Sequence, residues 1–243
     1  MELYTAFLQQ KLEPTVSSQP MVCRPEAFRM FAQHLESLQQ TESLWRAAAA
    51  VSMHSLDHVS LDALDDQFAE LADRVRNGSR SGAPTARLAH LHAVLFDQDG
   101  YTGNTQNYYS SLNSYLPAVL ENKQGIPILL SLVYKVVGER VGLRIEGLNT
   151  PGHFLVRVFA DNRWLIIDPF FGGQALSRPE AMDRLRELSG QSLLEREEVL
   201  NPANHHQWLS RILSNLENVF AAEGRQRDLT AMTELKRLLW DSL

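Results

Sequence analysis

Two residues, His153 and Asp168, have the types and the spacing of a catalytic pair. His153 follows Pro151-Gly152 at the start of one predicted strand, and Asp168 ends the strand predicted to pair with it. Antiparallel strands joined by a tight turn bring such positions side by side. A carboxylate placed there can hold one imidazole nitrogen and leave the other facing a reacting group. The sequence therefore predicts two of the three members of a nucleophile, base and acid triad.

A helix and three strands are predicted to position this pair. The segment Gly125–Val141 is apolar on almost every side, which is typical of a buried helix, and Pro127 fits its first turn. Short apolar runs predict three strands, at residues 143–148, 154–159 and 163–167. Asp161-Asn162 is typical of a hairpin turn, and we expect Pro169 and Gly172-Gly173 to end the sheet. The predicted fold class is α+β, with a buried helix packed on an antiparallel sheet.

Helices are predicted on both sides of this core. The expected division is a helical N-terminal region at residues 1–84, the core at 85–190 and a C-terminal helical hairpin at 191–243. The hairpin turns around Glu223-Gly224. The polar and aromatic segment 103–115 is predicted to be a loop that packs on the core through Tyr108, Tyr109 and Tyr115.

Composition limits the classes of partner. The chain has 243 residues, 44% of them hydrophobic, which is enough for a substantial core, and its formal net charge is -6. An acidic balance without a basic patch argues against nucleic acids and acidic membrane surfaces as partners. The start resembles no signal peptide, and no apolar run reaches the length of a membrane span. We therefore expect a cytoplasmic protein whose partner is a protein or a peptide.

Metal and cofactor chemistry is limited in the same way. Cys23 is the single cysteine, which excludes an intrachain disulfide and a zinc site built from several cysteines. The closely spaced histidines lack further ligands nearby in sequence, and the chain has no glycine-rich phosphate loop. We expect no metal site and no cofactor.

Several short motifs lie in the middle of the chain, between about Leu91 and Ser177. They are Asn113–Leu116, Gly125–Ile128, Gly142-Leu143, Gly147, Pro151–Arg157, Trp164, Ile167–Phe170 and Gly172-Gly173. Together they resemble the transglutaminase-like superfamily, which has a papain-type fold, and within it the bacterial SirB-one family. The resemblance implies a transglutaminase-like core followed by a tetratricopeptide-like C-terminal region.

The third member of the triad is missing from these motifs. The resemblance places the catalytic histidine on His153 and the aspartate on Asp168, whereas the catalytic cysteine falls at or beside Pro127, which offers no nucleophile. Ser131 is a candidate substitute one turn deeper, although a buried serine usually hydrogen-bonds a carbonyl one turn back. Cys23 stands at a predicted helix start, which would lower the pKa of its thiol.

Three functions remain open on this basis. The first is a non-catalytic protein or peptide binding module with candidate contacts at Asn113, Tyr115, Pro127 and Trp164. The second is a hydrolase or acyltransferase in which His153 and Asp168 act on water or on Ser131. The third is a purely structural scaffold. The resemblance also implies a link to bacterial gene regulation or virulence expression, which would be indirect because the sequence shows no DNA-reading element.

Overall fold

The described part of the chain comprises residues 19–79, 81–189 and 197–243 of a computed structural model. It combines a helical body with an antiparallel sheet, so the predicted α+β class is confirmed. The helices are α1 Pro25–Leu35, α2 Thr41–Ser52, α3 Leu61–Gly78, α4 Pro84–His92, α5 Leu116–Asn122, α6 Pro127–Arg140, α7 Arg178–Ser189, α8 His205–Ala222 and α9 Gln226–Asp241. The strands are β1 Thr102–Gly103, β2 Gln124–Gly125, β3 Arg144–Leu148, β4 Leu155–Ala160, β5 Arg163–Asp168, β6 Gln174–Leu176 and β7 Pro202–Ala203.

Helix α6 is the centre of the core, as its uniformly apolar sequence predicts. Every residue from Pro127 to Gly138 is buried, and the helix packs on β3 and β4. Gly138 allows the closest approach, because a Cβ atom there would lie 2.3 Å from Ile145 Cδ1 on β3. A larger side chain would push the helix away from the sheet.

The main sheet has the order β6-β5-β4-β3-β7, and each neighbouring pair is antiparallel. Asp161 and Asn162 join β4 to β5 with φ values of +48° and +58°, as the predicted hairpin turn requires. The prediction that Pro169 and Gly172-Gly173 end the sheet is wrong. Positive φ values at Gly172 and Gly173 turn the chain back after a short 3-10 turn, so that β6 pairs with β5.

Helix α7 covers part of the second face of the sheet. Its Ala181 and Leu185 pack in a separate apolar cluster with strand residues that include Leu148, Leu155 and Leu176. Alternation along a strand sends successive side chains to opposite faces, so the remaining buried strand residues pack towards α6. The sheet is therefore covered by a helix on each face at the end where β5 finishes.

The flanking helices share the main core instead of packing separately. Phe31 of α1, Trp45 of α2, Trp208 of α8 and Leu235 of α9 belong to one continuous apolar cluster with α6. The predicted hairpin of α8 and α9 is confirmed, with Gly224 at φ +69° in its turn. The division of the chain into three regions and the tetratricopeptide-like character of the hairpin stay predictions.

Part of one predicted region and one predicted boundary lie outside the described residues. Residues 1–18 of the expected N-terminal region and the expected boundary at 190/191 lie outside the described residues. Within the described ranges, no helix is both long and apolar enough to cross a membrane.

Candidate functional site

The pairing register of β4 and β5 brings His153 and Asp168 together. Val156 pairs with Ile167, which sets Leu155 opposite Asp168, and His153 lies two residues earlier on the same side of the chain. Such diagonal neighbours are within reach of long side chains. His153 Nε2 lies 2.9 Å from Asp168 Oδ2, and both side chains are buried.

Asp168 has two further partners. Its Oδ2 also accepts a hydrogen bond from Arg184 Nη1 at 3.0 Å, and its Oδ1 accepts one from the Phe170 amide at 3.1 Å. Because the Arg184 guanidinium can only donate, Asp168 Oδ2 is an acceptor, and His153 Nε2 donates to the same oxygen. Sequence reasoning missed Arg184, because it lies on α7 and no local spacing links it to the strand.

Two phenylalanine rings enclose the imidazole. The ring centroids of Phe170 and Phe171 lie 5.8 and 6.0 Å from that of His153, whose residue is 2% exposed. The Arg184 guanidinium stacks on Phe171 at 4.5 Å from the ring centroid, which fixes that ring in place. The histidine is therefore covered by Phe170 and Phe171.

The turn before His153 is held from both sides. Gly152, at φ +71°, lies under the end of α7, where an added Cβ atom would be 3.3 Å from Ser189 Cα. Thr150 is fully buried, and its Oγ1 donates to the His153 carbonyl at 3.0 Å. These contacts set the backbone position of the imidazole.

The beginning of α6 lies next to this enclosure. Gly125, two residues before Pro127, pairs with Gly103 in the parallel ladder of β1 and β2. Gly103 in turn packs on the Phe170 ring, where an added Cβ atom would come within 2.4 Å. Phe170 thus contacts both His153 and the strand beside the tip of α6, and that tip presents a pyrrolidine ring in place of a thiol.

Asn113 organises the loop beside the enclosure. Its side-chain amide donates to the carbonyls of Asn107 at 2.7 Å and Tyr108 at 3.1 Å, and its backbone carbonyl accepts from Ile126 N at 3.2 Å. The buried amide therefore ties the loop to the start of α6. Tyr115, by contrast, points away from His153: its hydroxyl donates to Ser55 Oγ at 2.8 Å.

Trp164 also lies apart from the pair. It is the second residue of β5 and Asp168 is the last, so about 13 Å of strand separates them. Its ring contacts Phe159 and is flanked by the guanidinium groups of Arg144 and Arg157, at 4.9 and 4.3 Å from the centroid. The structure does not bring Trp164 to the site.

Neither substitute nucleophile has the surroundings of one. Ser131 is fully buried and its Oγ donates to the Phe154 carbonyl at 3.4 Å, so the expected bond to a carbonyl one turn back is wrong. Cys23 is 3% exposed, and its backbone N–H donates to Glu234 Oε2 at 2.9 Å. Burial, reinforced by the Glu234 charge, raises the pKa of the thiol to about 12. The expected lowering of that pKa by a helix start is therefore wrong, because removing the thiol from water outweighs it.

Comparison with known proteins places the chain in a family. The family model described as "Transglutaminase-like superfamily" matches residues 61–214. The chain belongs to this superfamily. No solved structure matches the chain.

Several curated relatives of this transglutaminase-like protein carry only a family number. A UPF0162 protein of Xylella fastidiosa is 41% identical over 142 residues, which cover 57% of this chain and 50% of the relative. The chain thus spans about half the length of that relative. A UPF0162 protein of Pseudomonas aeruginosa is 28% identical over 201 residues, which cover 81% of this chain and 69% of the relative. Mouse F-box only protein 21 is 43% identical over 70 residues, covering 29% of this chain and 11% of the relative.

The transglutaminase-like domain carries an aromatic surface outside the enclosure. We define it by the rings of Tyr108, Tyr109, Phe170 and Phe171. The ring centroid of Tyr108 lies 5.4 Å from that of Tyr109 and 6.1 Å from that of Phe170, and the centroids of Phe170 and Phe171 lie 5.1 Å apart. Tyr109 is 76% exposed and Phe171 42% exposed. The prediction that Tyr109 anchors the loop to the core is therefore wrong, whereas Tyr108 does pack on Phe170. Burial raises the pKa of the Tyr108 phenol, so it stays neutral at physiological pH.

Most of the buried or partly buried histidines in the described part of the chain have structural partners. His54 bridges the Arg24 amide and Asp228, His92 bonds the Tyr134 hydroxyl at 2.7 Å, and His205 bonds the Leu38 carbonyl. Across residues 19–79, 81–189 and 197–243, no group of three or more metal-ligating side chains is gathered.

Proposed function

We propose that this transglutaminase-like domain is a non-catalytic module that binds a protein or peptide in the cytoplasm through the aromatic surface. The observation that supports it is the exposure of Tyr109 and Phe171 on a rigid base: Phe171 is stacked on Arg184, and Arg184 is bonded to Asp168. Exposed aromatic side chains on a fixed support supply binding energy with little loss of conformational entropy.

The surroundings of His153 support a binding role over catalysis. None of the three candidate positions offers an accessible nucleophile. Pro127 stands at the beginning of α6, the Cys23 thiol is buried with a raised pKa, and Ser131 is fully buried in the core. A base without a nucleophile can act only on water or an incoming hydroxyl, and two phenylalanine rings cover this base. The buried pair then serves to fix Phe170 and Phe171, because the Asp168 carboxylate accepts the Phe170 amide.

The chemistry of the surface indicates what it would bind. Aromatic faces favour apolar and aromatic side chains, whereas the Arg184 guanidinium at the edge is already paired with Asp168 and Gln174. The proposed ligand is therefore a peptide segment rich in apolar and aromatic side chains. A regulatory role would follow from such binding and would be indirect.

A selection from a random peptide library displayed on phage tests this proposal. Selected peptides are synthesised with a fluorophore, and their Kd values are measured by anisotropy against the unmodified chain and against Tyr109→Ser and Phe171→Ser. We expect each substitution to weaken binding by about tenfold or more, the loss typical of a central aromatic contact. The matched control is Met21→Ser, an accessible apolar side chain at 87% exposure that lies outside the aromatic surface.

The outcomes separate the three functions. Equal binding by Phe171→Ser and the unmodified chain would refute the aromatic surface, and failure to select any binder would favour a scaffold. The enzyme alternative predicts that a fluorophosphonate or activated-ester probe labels Ser131, or that ester hydrolysis falls by orders of magnitude in Asp168→Asn. We expect neither, because Ser131 is sealed and no thiol stands at the helix tip.

A further inference from the structure

A second concave region lies between α8, α9 and the loop after β3, and its lining shares no residue with the aromatic surface. The cavity measures about 350 Å³, which is within the range of small-ligand sites. Its wall combines hydrogen-bonding side chains with one cation and an apolar side. The wall includes Asn149, Ser214, Arg211, Leu239, Trp240 and Leu243.

Arg211 is the charged group of this cavity. Its Nη1 donates to Asn149 Oδ1 and to the Thr150 carbonyl, both at 3.3 Å, which is long for a charged donor. Within the described ranges no carboxylate lies within ion-pair distance of it, and its Nε and Nη2 hydrogen-bond no described residue. Burial lowers the pKa of the guanidinium, which nevertheless stays charged. The charge is therefore partly desolvated without a counter-charge.

The other side chains of the described wall do not supply that counter-charge. None of its lining side chains is acidic. Ser214 accepts a hydrogen bond from Lys236, and Lys236 is already paired with Glu217 at 2.6 Å. The nearby lysine charge is thus compensated, whereas the arginine charge is not. An anion in the cavity would restore the interactions that the guanidinium lost on burial.

The opposite side of the cavity is apolar and accessible. Trp240 is 63% exposed and Leu243 75% exposed, and Leu239 closes the wall between them. An isolated inorganic anion would leave these side chains in water. A ligand that carries both a carboxylate and an apolar group would use the two sides at once.

We propose that this cavity, the Arg211 cavity, binds a carboxylate attached to an apolar group. Two sources share that chemistry: the free C-terminal end of a peptide and a small aromatic or aliphatic acid. The carboxylate would accept from Arg211 Nε and Nη2, and the apolar group would pack on Trp240. This site does not rest on the function proposed for the aromatic surface, since different residues form it.

Binding in the Arg211 cavity would also change the hydrogen bonds of the turn that carries His153. The Thr150 carbonyl accepts from Arg211 Nη1 and, at 3.4 Å, from the His153 amide. A carboxylate that draws the guanidinium into the cavity would therefore loosen one of the contacts that hold this turn. The link gives the cavity a structural route to the enclosed pair.

The experiment compares acids with their amides. The full chain is titrated with N-acetyl-phenylalanyl-leucine and its C-terminal amide, and separately with 3-phenylpropionate and its amide, by calorimetry and by tryptophan fluorescence. We expect each acid that binds to have an affinity about tenfold or more higher than that of its amide, because the amide loses the charge-assisted hydrogen bonds to the guanidinium. This comparison needs no variant and identifies which source of carboxylate the cavity accepts.

Variants locate the binding. Arg211→Gln should lower the affinity for the acid by about the same factor of ten. Arg237→Gln should leave the affinity unchanged, because the Arg237 side chain on α9 is 82% exposed and lies outside the cavity. Trp240→Phe should remove the fluorescence response and retain binding of the acid. Phe171→Ser should have no effect, which keeps failure here distinct from failure at the aromatic surface. Equal affinities for acid and amide, no binding of either acid, or unchanged affinity in a folded Arg211→Gln would overturn the proposal.

Discussion

Replacing Asp168 by asparagine removes the negative charge that three hydrogen-bond donors share at the end of β5. Asp168 is fully buried and accepts from His153 Nε2, Arg184 Nη1 and the Phe170 amide. An amide has one oxygen and one NH₂ group, so in either orientation the NH₂ group faces at least one of these donors. The substitution therefore both weakens the acceptor and sets a donor against a donor.

The size of the effect follows from these contacts. Two hydrogen bonds to a charged acceptor contribute about 1.5–3 kcal/mol each, and loss of one partner from a buried pair costs about 3–5 kcal/mol. The Arg184 side chain is 22% exposed, so solvent screens part of its contribution. We expect Asp168→Asn to lower the free energy of unfolding by about 3 kcal/mol, which for a chain of this size lowers Tm by roughly 10 °C.

Urea unfolding followed by far-UV circular dichroism measures this loss. The slope against urea should stay unchanged, since the surface exposed on unfolding is the same. The matched control is Asp183→Asn, whose side chain is 66% exposed in an ion pair with Arg186 on α7, and it should change stability by less than about 1 kcal/mol.

The opposite result would change the interpretation of the site. Catalytic groups are often held at a cost in stability, so their replacement is neutral or stabilising. If Asp168→Asn were as stable as the unmodified chain, the idea that the pair is a lock for Phe170 and Phe171 would fail. A catalytic role for His153 would then gain support.

Two further predictions concern the core. Because burial raises the pKa of Cys23 from 9.0 to about 12, only the unfolded thiol ionises between those values, so stability is lost as pH rises above 9. Between pH 9 and pH 10 the loss measured in urea titrations should be about 1 kcal/mol larger in the unmodified chain than in Cys23→Ala, in which the buried tyrosines still contribute; an equal loss in both would disprove it. Gly138→Ala should destabilise the chain by about 1–3 kcal/mol, because the new methyl group meets Ile145 Cδ1. The double variant with Ile145→Val should recover stability in thermal melts, and a single variant more stable than the unmodified chain would contradict the packing argument.

Local patterns in the sequence were enough to predict the elements that carry the pair. The apolar run after Gly125 predicts the buried helix, and Asp161-Asn162 predicts the turn that sets the register of β4 and β5. Once that register is fixed, His153 and Asp168 must be neighbours. The same patterns failed at Gly172-Gly173, because whether a glycine pair ends a sheet or turns the chain back into it depends on an unfilled strand edge.

The sequence by itself determined the fold class, the His153 and Asp168 pairing and the absence of a thiol at Pro127, since each depends on residue type and spacing within a short segment. Only the tertiary structure decided the rest. Arg184 on α7 donates a hydrogen bond to Asp168, and the rings of Phe170 and Phe171 cover the imidazole. Burial near Glu234 raises the pKa of the Cys23 thiol and keeps it protonated at neutral pH. Solvent exposure and charge compensation arise between segments that are distant along the chain, and no local pattern encodes them.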